Sequence, residues 1–268
     1  MIPALQALLG LLVVIALLVA LALRYWRGRD EFAFVWWWRA RKAGKARKVG
    51  PPAPVDPVAM FTPGSHHAAG APCTTTVDRV AELELPSGEI IACDPLVNAM
   101  GTPAFSRTVP PGRYPVDACV AQIEPGHVRV AGIRVVFQPG IPVTWSPAET
   151  EGPDGMVGHG YGVDAGLGCV MDAQARDLLV AAQRALVETR PHGNYHDDVL
   201  EAELGDREWV DHRPAPGRSE NVVIVHSGWG DGVYDSVWGL DAGGDPVWLV
   251  TDFCVLTAPP RESPDRAV

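Results

Sequence analysis

The chain has 268 residues, with 22 Lys and Arg against 32 Asp and Glu, and a formal net charge of −10. This average joins two opposed parts. Residues 24–48 carry nine basic and two acidic residues, whereas residues 49–268 carry thirteen Arg, no Lys and thirty acidic residues. Such an excess of carboxylates repels phosphate groups, so the sequence excludes a generic nucleic-acid-binding domain. The basic stretch is instead compatible with a membrane surface.

The first 23 residues contain no charged side chain and are dominated by Leu, Val, Ile and Ala. A helix of this length spans ~35 Å, enough to cross a hydrocarbon core of ~30 Å. No Lys or Arg precedes the apolar run and nine follow it, so the positive-inside rule places the carboxyl-terminal part in the cytoplasm. The run also lacks the leading positive charge and the cleavage site of a secretory signal peptide. We therefore expect a single-pass anchor in the inner membrane; the alternative is a start codon further downstream.

Composition divides the rest of the chain into four parts. Residues 24–48, rich in basic side chains and Trp, are expected to form a juxtamembrane segment. Residues 49–72 are rich in Pro, Ala and Gly and predict a linker, residues 73–257 a β-rich globular domain, and residues 258–268 a polar tail. The five cysteines are widely spaced without a C-x-x-C pair, which argues against a disulfide framework and against a zinc ribbon.

Several short extended segments precede the first helical pattern. Residues 81–85 alternate between apolar and acidic side chains, and a Ser-Gly turn at 87–88 leads into residues 89–93, which together predict a β-hairpin. Further strands are expected at residues 114–123, 128–137 and 142–145. Strands this short and this close together favour antiparallel sheet over βαβ units. The predicted fold class is α+β, mostly antiparallel β in a sandwich or curled sheet with one clear helix.

That helix is predicted to begin at Asp172, a good N-cap residue, because apolar residues recur at helical spacing over residues 178–187 and Pro191 follows. A weaker helix is expected over residues 196–204 and a polar loop over 205–220. Three later strands are apolar on both faces and are therefore expected to be central. They cover residues 221–226, 233–240 and 247–256, with residues 241–245 as a hairpin loop between the last two.

Five distinctive strings occur along the globular part. They are LPSGEIIACDPLV at 85–97, VPPGRYPV at 109–116, GYGVDAGLGCVMDA at 160–173, SGWGDGVYDSVWGLDAGG at 227–244 and VTDFCVL at 250–256. As a set they resemble a bacterial family known only as domain of unknown function 4241, over most of residues 80–256. The resemblance implies no reaction, cofactor, partner or catalytic residue.

The carboxyl-terminal part contains an acidic stretch without cationic partners. Residues 219–260 hold no Lys or Arg but six acidic residues, among them Asp231, Asp241 and Asp252. Unpaired carboxylates repel one another and so favour a basic partner or a divalent cation. Two structural explanations compete with these. Asp231 and Asp241 have the sequence context of turn residues, and Asp252 could pair with an arginine such as Arg134. No recognised calcium loop is present.

A glycine-rich stretch precedes the predicted helix. Gly160, Gly162 and Ala165 match G-x-G-x-x-A, a pattern that cradles dinucleotide phosphates after a buried strand. No buried strand is predicted before it, and Asp164 would place a negative charge beside a pyrophosphate. We therefore predict neither a nucleotide nor any other cofactor, and attribute the glycines to backbone conformations with positive φ.

Aromatic residues complete the candidate surface. Trp229 lies inside a Gly-rich turn next to Asp231, where an exposed indole would be a recognition hot spot. The candidate binding residues are Tyr161, Asp164, Trp229, Asp231, Asp241 and Asp252, and no metal site is predicted.

Two functions from different classes follow from these residues. The first is a binding module, tethered to the inner face of the membrane, that engages a basic protein as an immunity protein engages a toxin. The alternative is a metal-assisted hydrolase that uses Asp164, Asp231, Asp241 and Asp252, which requires several of these carboxylates to converge in a pocket. Self-assembly of the domain is a third possibility that the sequence leaves open.

Overall fold

The computed structural model describes residues 55–152 and 157–259. Within these residues the fold is mostly antiparallel β, with a curled eight-stranded sheet and few helices, which confirms the predicted α+β class. The expected anchor at 1–23, the juxtamembrane segment at 24–48 and most of the polar tail lie outside the described residues. No helix in the described part is both long and apolar enough to cross a bilayer.

Two sheets make up the core, and all of their neighbouring strands are antiparallel. The large sheet contains, in spatial order, β16 (Leu256–Thr257), β1 (Gly64–Ala68), β2 (Ala71–Leu85), β4 (Gly112–Glu124), β5 (His127–Val136), β15 (Pro246–Asp252), β14 (Ser236–Leu240) and β6 (Thr144–Pro147). The small sheet contains β11 (Trp209–His212), β12 (Val222–His226), β10 (Leu167–Asp172) and β3 (Ile90–Cys93). Two further ribbons pair β13 (Gly232–Tyr234) with β9 (Tyr161–Val163) and β7 (Glu149–Glu151) with β8 (Val157–His159).

The helices of the described part are α1 (Pro57–Met60), α2 (Ala173–Thr189) and α3 (Glu201–Leu204), the last preceded by a π-helical turn at His196–Leu200. The long helix α2 begins as predicted, because the Asp172 carboxylate accepts a hydrogen bond from the Gln174 backbone amide at 2.8 Å. The prediction of one clear helix followed by a weaker one is confirmed.

Apolar side chains fill the space between the two sheets. Leu83, Val116 and Ile133 project from the large sheet, and Ile90 and Val223 project from the small sheet, and all five are buried in one cluster. Both sheets therefore bury one face against the other, as a two-layer β architecture requires.

The outer faces of the two sheets are also covered. Helix α2 buries Leu179 against the far side of the small sheet, where it meets Met171 and Leu200. On the outer side of the large sheet, α1 contributes Met60 to a cluster that contains Trp248. The layers of the domain are thus α1, large sheet, small sheet and α2.

The predicted hairpin of residues 81–85 and 89–93 is wrong. Strand β2 pairs with β1 and β4, whereas β3 pairs with β10 in the other sheet. The turn between them passes the chain from one sheet to the other, because the Asp172 carboxylate accepts hydrogen bonds from the Ser87 backbone amide at 3.0 Å and from its hydroxyl at 2.8 Å. The cap of α2 therefore also fixes this crossover.

The predicted linker at residues 49–72 is partly folded. From Val55 onward its described residues form α1, β1 and the start of β2, so the folded domain begins earlier than residue 73. Asp56 caps α1 by accepting hydrogen bonds from the Val58 and Ala59 amides at 2.8 and 3.1 Å. The Pro-rich composition hid three buried residues, Met60, Phe61 and Ala68, which pack in one cluster.

Other strand boundaries also differ from the expectation. The predicted strand at 247–256 ends at Asp252, and Leu256–Thr257 pair instead with β1 at the far edge of the large sheet. The predicted loop at 205–220 contains the edge strand β11, and the glycine-rich stretch contains the buried central strand β10. The predicted strand at 233–240 is divided at Asp235 into β13 and β14, which belong to different sheets. Edge strands and sheet switches carry weak local signals, because their sequences do not show one continuous alternation.

Candidate functional site

Two of the distinctive strings meet at one end of the molecule. Strand β9, from the glycine-rich stretch, pairs with β13, which follows the Trp229 turn, and Tyr161 lies opposite Tyr234 in this ribbon. The string at 250–256 also reaches this ribbon, since the Asp252 backbone amide donates to the Asp235 carbonyl oxygen at 3.2 Å. We call the surface formed by residues 160–164, 227–235 and 252–254 the Trp229 face.

The turn that carries Trp229 is held by hydrogen bonds on its inner side. The Tyr234 phenol oxygen lies 2.6 Å from the Gly230 carbonyl oxygen and 3.1 Å from that of Ser227, so its hydroxyl donates to this turn. The Ser227 hydroxyl also donates to the Gly230 carbonyl at 2.9 Å. Gly228 has a φ of +55°, and a Cβ there would lie 2.7 Å from a backbone oxygen of Phe253. Only glycine fits this close approach.

The turn presents two large apolar side chains to solvent. Trp229 is 49 % exposed and Val233 is 69 % exposed. The Arg129 guanidinium lies 5.7 Å from the centroid of the Trp229 ring, which places a cation beside the indole. The predicted exposure of Trp229 is confirmed. Because the backbone of the turn is already fixed, ordering this indole against a partner costs less entropy than ordering a free loop.

Four aspartates lie on the same face as these side chains. Val163 pairs with Gly232, so the neighbouring residues Asp164 and Asp231 lie at the same end of the β9–β13 ribbon. Both are exposed. At the other end of the ribbon, Asp235 and Asp252 are neighbours through their backbones. Three of the four aspartates that the sequence singled out therefore lie on the Trp229 face, together with Asp235, which it did not single out.

Partial burial changes the acidity of two groups on this face. Burial raises the pKa of Asp252 to about 6, with a smaller contribution from the charge of Asp235, while a hydrogen bond from the Cys254 amide at 2.7 Å opposes the shift. Desolvation and the same two carboxylates raise the pKa of the Cys254 thiol to about 11. Cys254 is exposed and has a φ of +56°, yet at neutral pH it is a thiol and not a reactive thiolate.

The raised pKa of Asp252 predicts a pH-dependent effect of Asp252→Asn on stability. The folded state binds the Asp252 proton more tightly than the unfolded state, so protonation of Asp252 stabilises the fold. This stabilisation is fully present below pH ~4 and is lost as the pH rises through about 6. At pH 8 the substitution should increase the free energy of unfolding by about 1 to 3 kcal/mol, and at pH 4 it should add almost nothing. Denaturant titrations of the full-length chain at both pH values measure the difference.

Asp231→Asn is the control for Asp252→Asn, because it removes an equal charge from an exposed site. A gain in stability at pH 8 no larger than that of the control would contradict the prediction.

Asp241 does not belong to this face. Asp235 precedes the five-residue strand β14 and Asp241 follows it, so the two residues lie about 20 Å apart at ~3.3 Å per residue. The Asp241 carboxylate accepts hydrogen bonds from the Gly243 and Asp245 amides at 2.8 and 2.9 Å, and backbone hydrogen bonds lower its pKa. Asp241 is therefore a turn-forming residue, the structural explanation that its sequence context offered.

Tyr161 is a core residue and does not face solvent. Only 8 % of its surface is exposed, and it packs in the cluster between the two sheets. Burial raises the pKa of its phenol well above the ordinary value. The alternation of the short strand β9 turns Tyr161 inward, which removes its side chain from the candidate surface.

The expected pair of Asp252 with Arg134 is not formed. Arg134 instead makes a salt bridge with Asp117 at 2.9 Å, and its guanidinium lies 4.4 Å from the ring centroid of Trp248. Asp252 lies opposite Gly132 on β5, which has no side chain to offer it.

Sequence reasoning missed Asp94, which positions the inner edge of the site. Its fully buried carboxylate accepts four backbone hydrogen bonds, from Leu96 and Val97 at 2.9 and 3.1 Å and from Asp164 and Ala165 at 2.9 and 2.8 Å. The first two form a local turn that the Asp-Pro sequence could have indicated. The other two bonds join segments 70 residues apart and left no local signal.

Across residues 55–152 and 157–259, no group of three or more His, Cys, Asp or Glu side chains is arranged to hold a metal ion. The Trp229 face combines a fixed apolar side chain with exposed carboxylates.

Comparisons with known proteins give one match. No curated protein and no solved structure matches the chain. A family model described as "Protein of unknown function (DUF4241)" matches residues 83–251, which include four of the five distinctive strings in full, the small sheet and the β9–β13 ribbon of the Trp229 face. The chain therefore belongs to the DUF4241 family.

Proposed function

We propose that the domain is a protein-binding module that recognises a basic partner through the Trp229 face. The observation that carries this proposal is the half-exposed indole of Trp229 on a turn fixed by Tyr234 and Ser227. Large aromatic side chains that are already ordered before binding contribute most of the affinity of many protein interfaces. Val233 extends the apolar contact beside it.

The charge distribution supports a basic partner. Asp164, Asp231 and Asp235 are exposed on the Trp229 face, and residues 219–260 contain no Lys or Arg. Arg129, the cation nearest the indole, stacks on its ring. A negative rim around an apolar centre accelerates encounter with a positively charged protein and disfavours acidic competitors.

Residues 1–23 support a tethered form of this module. An uncharged apolar run followed by nine basic residues is typical of a single-pass anchor with its carboxyl-terminal side in the cytoplasm. A tethered acidic domain with a preformed binding surface suits the neutralisation of a basic protein at the inner face of the membrane, as immunity proteins neutralise toxins. The proposed partner class rests on charge, and the proposed location rests on this apolar run.

Site-specific photo-cross-linking in cells that express the chain natively tests both parts. A benzophenone amino acid at position 233, which leaves the Trp229 indole in place, should cross-link a protein with a net positive charge, and the product should sediment with the membrane fraction. Adding Asp231→Asn, with Asp164→Asn to lower the local charge further, should reduce the yield about tenfold, because close charge pairs at interfaces contribute about 1.5 kcal/mol or more.

The control places the same benzophenone at position 141, where Ile141 is 66 % exposed outside the Trp229 face, and combines it with Asp245→Asn. This position should give no cross-link to the same protein. The proposed function fails if position 233 captures only proteins that position 141 also captures, or if the captured protein is acidic.

A further inference from the structure

A second surface, separate from the Trp229 face, contains an apolar groove of about 400 Å³. It runs between the loop that follows β3 and one face of helix α2. The loop contributes Leu96, Val97 and Met100, and the helix contributes Val180 and Val187. The loop wall is apolar, whereas the helix wall alternates these valines with the polar residues Gln183, Arg184 and Glu188.

The groove exposes more apolar surface than its surroundings. Met100 is 69 % exposed, and Val97 and Val187 are each 53 % exposed. Three of the eight large apolar side chains exposed in the described residues therefore line one feature. A contiguous patch of this kind on a soluble domain is typical of an interaction surface.

The walls of the groove are fixed before anything binds. The Gln183 side-chain amide donates to the Pro95 carbonyl oxygen at 2.8 Å, which joins the helix to the loop. The buried carboxylate of Asp94 holds the same loop through the amides of Leu96 and Val97. Because these bonds already order the loop, an occupant loses little free energy to reorganisation.

The rim of the groove carries one positive and one negative side chain with unused charge. Arg184 and Glu188 are one helical turn apart on the exposed face of α2, on either side of Val187. Within residues 55–152 and 157–259 neither makes a salt bridge, and Arg184 instead reaches the Met100 sulfur at 3.1 Å. When a second copy of this helix is turned through 180° against the first, the arginine of each copy lies opposite the glutamate of the other.

We propose that the occupant of this groove is a second copy of the chain. In a twofold-symmetric dimer the two α2 helices run antiparallel, and Arg184 of each copy faces Glu188 of the other. The axis then passes close to Val187, whose side chains meet across it, and Met100 and Val97 of both copies close the apolar contact. The inference is independent of the proposed role of the Trp229 face.

A charge-exchange series on the full-length chain tests the pairing. The dissociation constant of the dimer, measured by sedimentation equilibrium, should rise at least tenfold in Arg184→Glu and at least tenfold in Glu188→Arg, because each single change opposes like charges. The double variant Arg184→Glu with Glu188→Arg should return to within about threefold of the wild-type value. A monomeric wild-type chain, or a double variant as weak as the singles, would overturn the proposal.

Symmetric cross-linking gives a readout that does not depend on charge. In a Cys254→Ser background, which removes the exposed native thiol, Val187→Cys should be joined into a dimer of twice the chain mass by a short bis-maleimide. Val143→Cys is the matched control, since Val143 is equally apolar and 64 % exposed but lies on another part of the surface. Cross-linking of position 187 to a different protein, or equal dimer yields at 187 and 143, would show that the groove does not hold a second copy.

Discussion

Replacing Asp94 by alanine is expected to lower the free energy of unfolding by about 4 kcal/mol, the largest effect of any single carboxylate in the domain. The substitution leaves four backbone amides without their acceptor, and each hydrogen bond to a charged group contributes about 1.5 to 3 kcal/mol. Local relaxation and entry of water recover part of this sum. Denaturant-induced unfolding of the full-length chain measures the loss.

Two variants separate the role of the Asp94 carboxylate from a general effect of removing charge. Asp94→Asn keeps one acceptor oxygen and should lose about half as much stability. Asp164→Asn removes an exposed carboxylate whose backbone amide, not its side chain, contacts Asp94, and should change stability by less than about 0.5 kcal/mol. Equal losses in Asp94→Ala and Asp164→Asn would show that the four hydrogen bonds are not responsible.

Replacing Gly88 by alanine should cost about 3 kcal/mol or more. Gly88 has a φ of +74°, and a Cβ at this position would lie 2.0 Å from the Val109 carbonyl oxygen, well inside van der Waals contact. The left-handed backbone costs an L-residue about 1 to 2 kcal/mol, and the overlap with backbone adds the rest, because the Val109 amide is also bonded to the Gly88 carbonyl at 3.0 Å and cannot retreat freely. Thermal and denaturant unfolding should both report the loss.

Gly126→Ala is the matched control for Gly88→Ala. Gly126 has a φ of +77°, nearly the same backbone conformation, but no atom lies within 4 Å of the position that its Cβ would take. It should therefore lose only the conformational term of about 1 kcal/mol. If both variants lose the same amount, the close approach at the crossover between the sheets does not contribute to stability.

Two buried carboxylates show how long-range contacts hold the domain together. Asp94 and Asp172 are buried carboxylates that each bond a turn close in sequence and a segment distant from it. Asp94 joins the wall of the apolar groove to the edge of the Trp229 face, and Asp172 joins the start of α2 to the crossover at Ser87. The carboxylates that matter most for the fold are therefore those that are buried and hydrogen-bonded, not those of the acidic surface.

The local elements of this protein were determined by the sequence itself. The Asp172 cap and the apolar spacing after it specify α2, and the Glu-Pro-Gly turn at 124–126 specifies the hairpin of β4 and β5. The exposure of Trp229 also follows from its Gly-rich turn. Each of these features depends on residues within about one turn or one strand of each other, where backbone sterics and local hydrogen bonds decide the conformation.

The partners of the strands and the composition of the site were decided only by the tertiary structure. Pairing β3 with β10, turning Tyr161 into the core and gathering Asp164, Asp231 and Asp252 without Asp241 all depend on contacts between distant segments. Such contacts form because they bury apolar surface from both sheets at once, and alternation along one strand does not reveal which distant strand will supply the other half.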